Sequence, residues 1–178
     1  MKSPEDFLWI TQVLLWNDEK AFERLMMKYL PHIRRYFIIQ TAGNEALSDD
    51  LTQETFIRAW RGLSGFGRLS SFSTWLYKIA FNVYASHVTK SITTLPLDND
   101  KNAFAIADKD NFATSDIQEE VREAIYRLNE REKVCITLFY IDDMSIKDIA
   151  KITGYTTGTI KSHLARGRKN LEKILKRQ

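Results

Sequence analysis

Lys161, Ser162, Ala165, Arg166 and Lys169 recur on one side of a predicted helix near the end of the chain. Their side chains suit the reading of a DNA duplex. Lys and Arg reach guanine edges and phosphates, Ser donates or accepts, and Ala meets a thymine methyl. Thr157, Gly158 and Thr159 open the same helix with small or hydroxyl groups. The opposite side carries Ile160, Leu164, Gly167, Leu171 and Ile174, alternately four and three residues apart, which is one buried stripe.

Two further groups could do chemistry. Asp49, Asp50 and Glu54 offer carboxylates, and a metal-dependent nuclease would need such groups. Adjacent carboxylates diverge on a helix, and His32, His87 and His163 are scattered. No glycine loop of the phosphate-cradling kind occurs, so an enzyme is not expected and no metal or other cofactor is called for. The second group lies between Gly65 and Lys90. Phe66, Phe72, Trp75, Tyr77, Phe81 and Tyr84 alternate with Arg68, Lys78, Asn82, His87 and Lys90. Aromatics beside cations can stack unpaired bases. Aromatics at helical spacing also form cores, and Phe72, Trp75 and Ile79 are expected to pack inward.

The elements that position these groups are helices, and no strand is expected. Ser145 caps a short helix with Asp148 three residues on, and Gly154 ends it. Thr156 caps the next. Two short helices, a tight turn and a basic face make a helix-turn-helix. Upstream, Ser3-Pro4-Glu5-Asp6 starts a helix expected to bury Phe7, Ile10 and Leu14. A second starts near Asn17 or Asp18 and meets Pro31, a possible kink. A third covers about 45–63, with Leu47, Leu51, Phe56, Trp60 and Leu63 inward and Asp49, Asp50, Gln53, Glu54, Arg58 and Arg61 outward. A fourth runs from about Ser73 to Lys90. Residues 91–115 lack periodicity and read as a linker. Beyond it, one helix carries Ile117, Val121, Ala124, Ile125 and Leu128, and another starts at Asn129 and carries Val134, Leu138 and Phe139.

Charge follows this division. The net charge is +3, but residues 144–178 hold nine basic and two acidic side chains, and residues 98–132 hold five basic and ten acidic ones. A nucleic-acid end and an acidic middle follow. The single cysteine, Cys135, sits in an apolar run, which points to a buried, inert thiol in a reducing compartment. No apolar run has membrane-spanning length and no signal-peptide pattern opens the chain, so a cytoplasmic protein is expected.

DDLTQETFIRAW, FSTWLYKIAFN and SIKDIAKITGYTTGTIKSHLARGRKNL, in this order and spacing, resemble the small extracytoplasmic-function group of bacterial sigma factors, which keep conserved regions two and four. The resemblance implies an all-α protein of two small helical domains: region two over 1–90, a linker over 91–115 and region four over 116–178. It implies that Asp49, Asp50, Gln53, Glu54 and Arg58 meet the beta-prime clamp helices of the RNA polymerase core. It places Arg68, Ser70, Ser71, Phe72, Ser73, Thr74, Trp75, Lys78, Asn82, His87 and Lys90 at the unpaired minus-ten element. It places Thr157, Gly158, Thr159, Lys161, Ser162, His163, Ala165, Arg166 and Lys169 at the minus-thirty-five duplex, with region four also against the beta flap. An anti-sigma factor is the further implied partner, sometimes holding such proteins at the inner membrane, and no small-molecule substrate is implied. Three positions depart from the family pattern. Phe81 stands where Arg is common, Ser86 where an acid is common, and His163 where Arg is frequent. A stand-alone helix-turn-helix regulator is the rival reading, and it leaves the first 90 residues without a task.

Overall fold

The structure is a computed structural model and describes residues 3–67, 69–94 and 116–176. Every regular element among these residues is helical. Arg68 and residues 95–115, which hold most of the expected linker, lie outside the described residues.

Helix α1 spans Pro4–Trp16, with Pro4 in its first turn beside Glu5 and Asp6. Asn17 ends it in the left-handed region at φ 51°, a conformation asparagine tolerates better than most residues. Its buried face is Asp6, Ile10 and Val13. The expectation for Phe7 and Leu14 was wrong, since they are 59% and 38% exposed. The reason is tertiary. Asp6 receives Lys28 at 2.8 Å and the Tyr29 hydroxyl at 2.6 Å, and these bonds turn the helix about its axis.

Helix α2, Glu19–Gln40, is capped by Asp18, which accepts from the Ala21 N–H at 3.2 Å. It runs through Pro31 as one element. The missing proline N–H removes one bond without ending the helix. A break at Ala42 and Gly43, both at positive φ, reverses the chain. Asn44 then caps α3, Glu45–Gly62, and a 3-10 turn at Leu63–Gly65 follows. Trp60, expected inward, is 36% exposed but sets its ring edge against Phe22 with centroids 4.9 Å apart.

Helix α4 spans Phe72–Thr94, and the Ser71 hydroxyl accepts from the Thr74 N–H at its start. Helix α5 is Asp116–Tyr126, and α6 is Glu130–Ile136, capped by Asn129. A π-helical turn, Thr137–Ile141, continues α6. Helices α7, Ile146–Thr153, and α8, Thr157–Leu175, complete the chain.

Helices α2, α3 and α4 pack together and α1 lies on α2. Helices α5, α6 and α7 pack on α8. The two groups also meet. Helix α4 packs on α7, and α2 touches α5, α6 and the π turn. One hydrophobic cluster therefore runs from Ile10 through Leu25, Phe37, Leu76 and Val83 into Leu138, Ile149 and Leu164. Helix packing of this kind fixes the exposed faces of α3, α4 and α8.

Candidate nucleic-acid and partner interfaces

The α7–α8 pair is built on two matching caps. Ser145 accepts from the Asp148 N–H at 3.1 Å and donates its hydroxyl to the Asp148 carboxylate at 2.6 Å. Thr156 accepts from the Thr159 N–H at 3.1 Å. Between them Gly154 stands at φ 75°, and its N–H returns to the Ala150 carbonyl. A residue with a Cβ would be strained there. Ile160, Leu164 and Gly167 are buried on the inner side of α8. Gly167 permits a close approach, since a Cβ there would stand 2.8 Å from Ile136 Cγ1.

Thr157, Gly158, Thr159, Lys161, Ser162, Ala165, Arg166 and Lys169 are all exposed on α8. A continuous surface of cations, hydroxyls and small groups results, chemically suited to phosphates and base edges. His163, expected among the DNA contacts, is instead 7% exposed. Its ring lies 5.8 Å from that of Tyr155, and its Nδ1 stands 3.3 Å from Arg166 Nη2. Burial first, then the Arg166 and Arg131 guanidiniums, hold the imidazole below its ordinary pKa. A neutral His163 can therefore accept from Arg166 and orient it, rather than reach out itself.

Helix α3 places Ser48, Leu51, Thr52, Thr55, Phe56 and Ala59 inward. Asp49, Asp50, Gln53 and Arg58 are exposed and Glu54 is half-buried. Two of the carboxylates already have cations. Asp49 receives Arg34 Nε at 2.6 Å, and Glu54 receives Arg58 Nε at 2.6 Å. Among the described residues the side chains of Asp50 and Gln53 make no hydrogen bond. Ile57 and Trp60 add apolar surface beside them, 45% and 36% exposed. No group of three metal-ligating side chains converges among the described residues.

The aromatic segment divides. Phe72 and Thr74 are buried, and the Phe72 ring sits among Phe66, Trp75 and Tyr29 at centroid distances of 6.0, 5.6 and 5.3 Å. Phe66, Tyr77 and Tyr84 are also core residues, while Trp75 is half-buried. Phe72 is thus not available for base stacking in this arrangement. The Ser71 hydroxyl lies 2.9 Å from Ser73 Oγ and 2.7 Å from Thr74 Oγ1, fixing the loop before α4. Ser70, Ser71, Ser73 and His87 are half-buried. Lys78, Asn82, Ser86 and Lys90 are exposed at every fourth position, which aligns them in one row along α4. Arg68 lies outside the described residues.

Sequence reasoning missed a polar set between the two helical groups: Arg35, Gln40, Tyr84, Glu130, Thr137 and Asp142. Arg35 Nη2 donates to Asp142 at 2.7 Å and to the Ile141 carbonyl at 3.2 Å. Gln40 donates to Thr137 at 3.3 Å. The Tyr84 hydroxyl lies 2.7 Å from the Glu130 carboxylate. No periodic signal marks such residues, because their partners lie far away in sequence.

Comparisons with known proteins agree with this architecture. The family model for "Sigma-70 region 2" matches residues 25–91, and that for "Sigma-70, region 4" matches residues 118–171. The RNA polymerase sigma-H factor of Pseudomonas aeruginosa is 30% identical over 172 residues, covering 89% of this chain and 88% of that protein. The ECF RNA polymerase sigma factor BldN of Streptomyces coelicolor is 32% identical over 166 residues, covering 89% of this chain but 62% of that protein. ECF RNA polymerase sigma factor SigW of Bacillus subtilis is 28% identical, with 90% and 91% covered. Among solved structures, the sigma factor RpoE from Bartonella quintana, in complex with the anti-sigma factor NepR, superposes with a TM-score of 0.73 at 25% identity, covering 88% of this chain and 98% of that one. CnrH, in complex with the cytosolic domain of CnrY, shares the fold with a TM-score of 0.69 at 19% identity, covering 98% of this chain and 99% of that one.

Proposed function

We propose a mode of action for this chain, which belongs to the extracytoplasmic-function group of sigma-70 RNA polymerase sigma factors. It performs no covalent chemistry and acts in the cytoplasm as a promoter-specificity subunit. Residues 1–90 dock on the polymerase core. Asp50 and Gln53, with Asp49, Glu54 and Arg58 around them, meet a basic surface of the beta-prime clamp helices. Charge complementarity there sets register and encounter rate. The row Lys78–Asn82–Lys90 and the loop before α4 hold the unpaired minus-ten strand. Capture of an extruded base offsets the energy lost on unstacking it.

Residues 116–178 read the minus-thirty-five duplex through α8 and lean on the beta flap. Lys161 and Lys169 engage phosphates, which position the protein. Arg166 and Ser162 reach base edges, which specify sequence. Residues 91–115 join the two readers. An anti-sigma factor is the regulatory partner, and it covers both interfaces. The observation that carries this reading is the pair of outward faces on one scaffold: an acid-and-amide face on α3 and a basic face on α8, which Thr156 caps. A free-standing DNA-binding regulator has no use for the first.

Gel filtration of the chain with purified core polymerase tests the reading. Co-elution at moderate salt is expected, and separate elution at every salt concentration contradicts it.

A further inference from the structure

We infer that His163 is a positioning residue: from beneath the reading face of α8 it aims the Arg166 guanidinium, so that it governs discrimination at the one base pair Arg166 reads, and it releases Arg166 when it takes up a proton. The inference rests on the reading of the upstream duplex by α8 proposed above.

Arg166 is folded back along its own helix. Its Nη2 lies 3.3 Å from His163 Nδ1, and its Nε donates to the Ser162 carbonyl at 3.4 Å. The two acceptors belong to residues one turn earlier, so the guanidinium is drawn toward the N-terminal end of α8. That is the end of a recognition helix that meets base edges. A guanidinium has five N–H groups and no acceptor. Two are engaged in this tether, and the rest are enough for a two-point contact with a guanine. Both tether bonds are long for N–H donors. They guide the side chain and yield to shorter bonds from a base.

Packing fixes the imidazole but not the guanidinium. The His163 ring is 7% exposed and lies against Tyr155, with centroids 5.8 Å apart. Arg166 is exposed, and a cavity of about 490 Å³, lined also by Asn129, Arg131 and Glu132, opens beside both side chains. The two hydrogen bonds are therefore what gives Arg166 a direction. A side chain held this way before it meets DNA loses less freedom on binding.

The tether needs a bare Nδ1. Arg166 can only donate, so the proton of the neutral imidazole sits on Nε2. The titratable groups that face the ring are Arg166 on α8, Arg131 and Glu132 on α6, and Tyr155 in the turn before α8. Burial first, then the two guanidiniums, keep His163 neutral at pH 7, against the opposing pull of Glu132. A proton on Nδ1 removes the acceptor and sets an imidazolium against a guanidinium. Arg166 is then free to leave its reading position.

Selection from a duplex library randomised across the upstream element tests this, with the full chain bound to core polymerase. Arg166→Ala identifies the position that Arg166 reads, as the one where base preference is lost. His163→Phe keeps a ring against Tyr155 but offers no acceptor. It should lower the preference at that same position by about 2- to 12-fold, the equivalent of the freedom an anchored side chain regains, and leave the other positions as they were. His163→Asn places an amide oxygen near the site of Nδ1 and takes up no proton, so it should keep the preference. In the unsubstituted chain the preference at that position should fall between pH 8 and pH 5.5, and in His163→Asn it should stay level. The pH profile carries the test should His163→Phe fail to fold. Preference kept at that position in His163→Phe, or lost equally at all positions, overturns the positioning role. A level pH profile in the unsubstituted chain overturns the release. If Arg166→Ala changes the preference at no position, the reading of the duplex by α8 proposed above fails, and this inference with it.

Discussion

Arg35 and Asp142 are 107 residues apart in sequence, and their guanidinium and carboxylate meet at 2.7 Å across the boundary between the two helical groups. The carboxylate is almost wholly buried while the guanidinium is half in water. Burial raises the Asp142 carboxyl above the usual range, against the opposing pull of Arg35. A contact of this kind sets the relation between two units that each have their own helices. It adds a polar tie to the hydrophobic cluster that the two helical groups share.

Arg166→Ala should weaken duplex binding by about 1–3 kcal/mol if the guanidinium grips a base edge in two places. Binding to core polymerase should be unchanged, because Arg166 lies on α8 and the proposed core-binding residues lie on α3. Fluorescence anisotropy on a minus-thirty-five duplex measures the first and gel filtration the second.

Asp50→Ala should have the reverse effect. The Asp50 side chain makes no hydrogen bond or ion pair among the described residues, so its removal should leave the melting temperature in place while core binding falls. Equal losses of core and duplex binding would contradict the assignment of α3.

Gly167→Ala should destabilise the second helical group. The added Cβ would meet Ile136 Cγ1 at 2.8 Å, and Ile136 is itself buried. Overpacking of this kind costs about 1–3 kcal/mol. Thermal unfolding followed by circular dichroism should show a lower midpoint, with the helix content at 20 °C kept.

His163 should make stability sensitive to acid. Its folded pKa lies below the ordinary value of 6.5, chiefly through burial. The unfolded chain therefore takes up a proton at a higher pH than the folded one. The contribution is complete above the ordinary value and is lost as pH falls from there through the folded pKa. Urea midpoints measured between pH 8 and pH 5 should fall toward acid, and His163→Gln should flatten that fall.

Cys135 should resist alkylation. It is fully buried, and burial pushes its thiol up to about 11, so the nucleophilic thiolate is scarce at neutral pH. Iodoacetamide at pH 8 should modify it only when denaturant is added. Rapid labelling of the native protein would contradict the packing of α6.

Much of this fold could be read from the residues because helices announce their ends locally. Asp18, Asn129, Ser145 and Thr156 cap as short polar residues do, and Gly154 stops α7 with a left-handed turn. The inward stripe of α8 follows from spacing alone. The rotation of α1 does not, because it is decided by Lys28 and Tyr29 reaching back to Asp6. The burial of His163 was hidden for a similar reason. It borders the stripe at Leu164, and only the neighbouring Tyr155 turn decides whether its ring faces in or out. The aromatic run on α4 left core and stacking open, and packing against Tyr29 and Phe66 draws Phe72 inward. Roles at the polymerase and promoter came from the resemblance, since an exposed acid on a helix has no signature of its own partner.

The most direct measurement is run-off transcription on a randomised promoter library with purified core polymerase, with and without this chain. Transcripts should appear only when the chain is added, from a subset of templates that share an upstream and a downstream element. Equal transcription from all templates, or none beyond the level of core alone, would contradict the account.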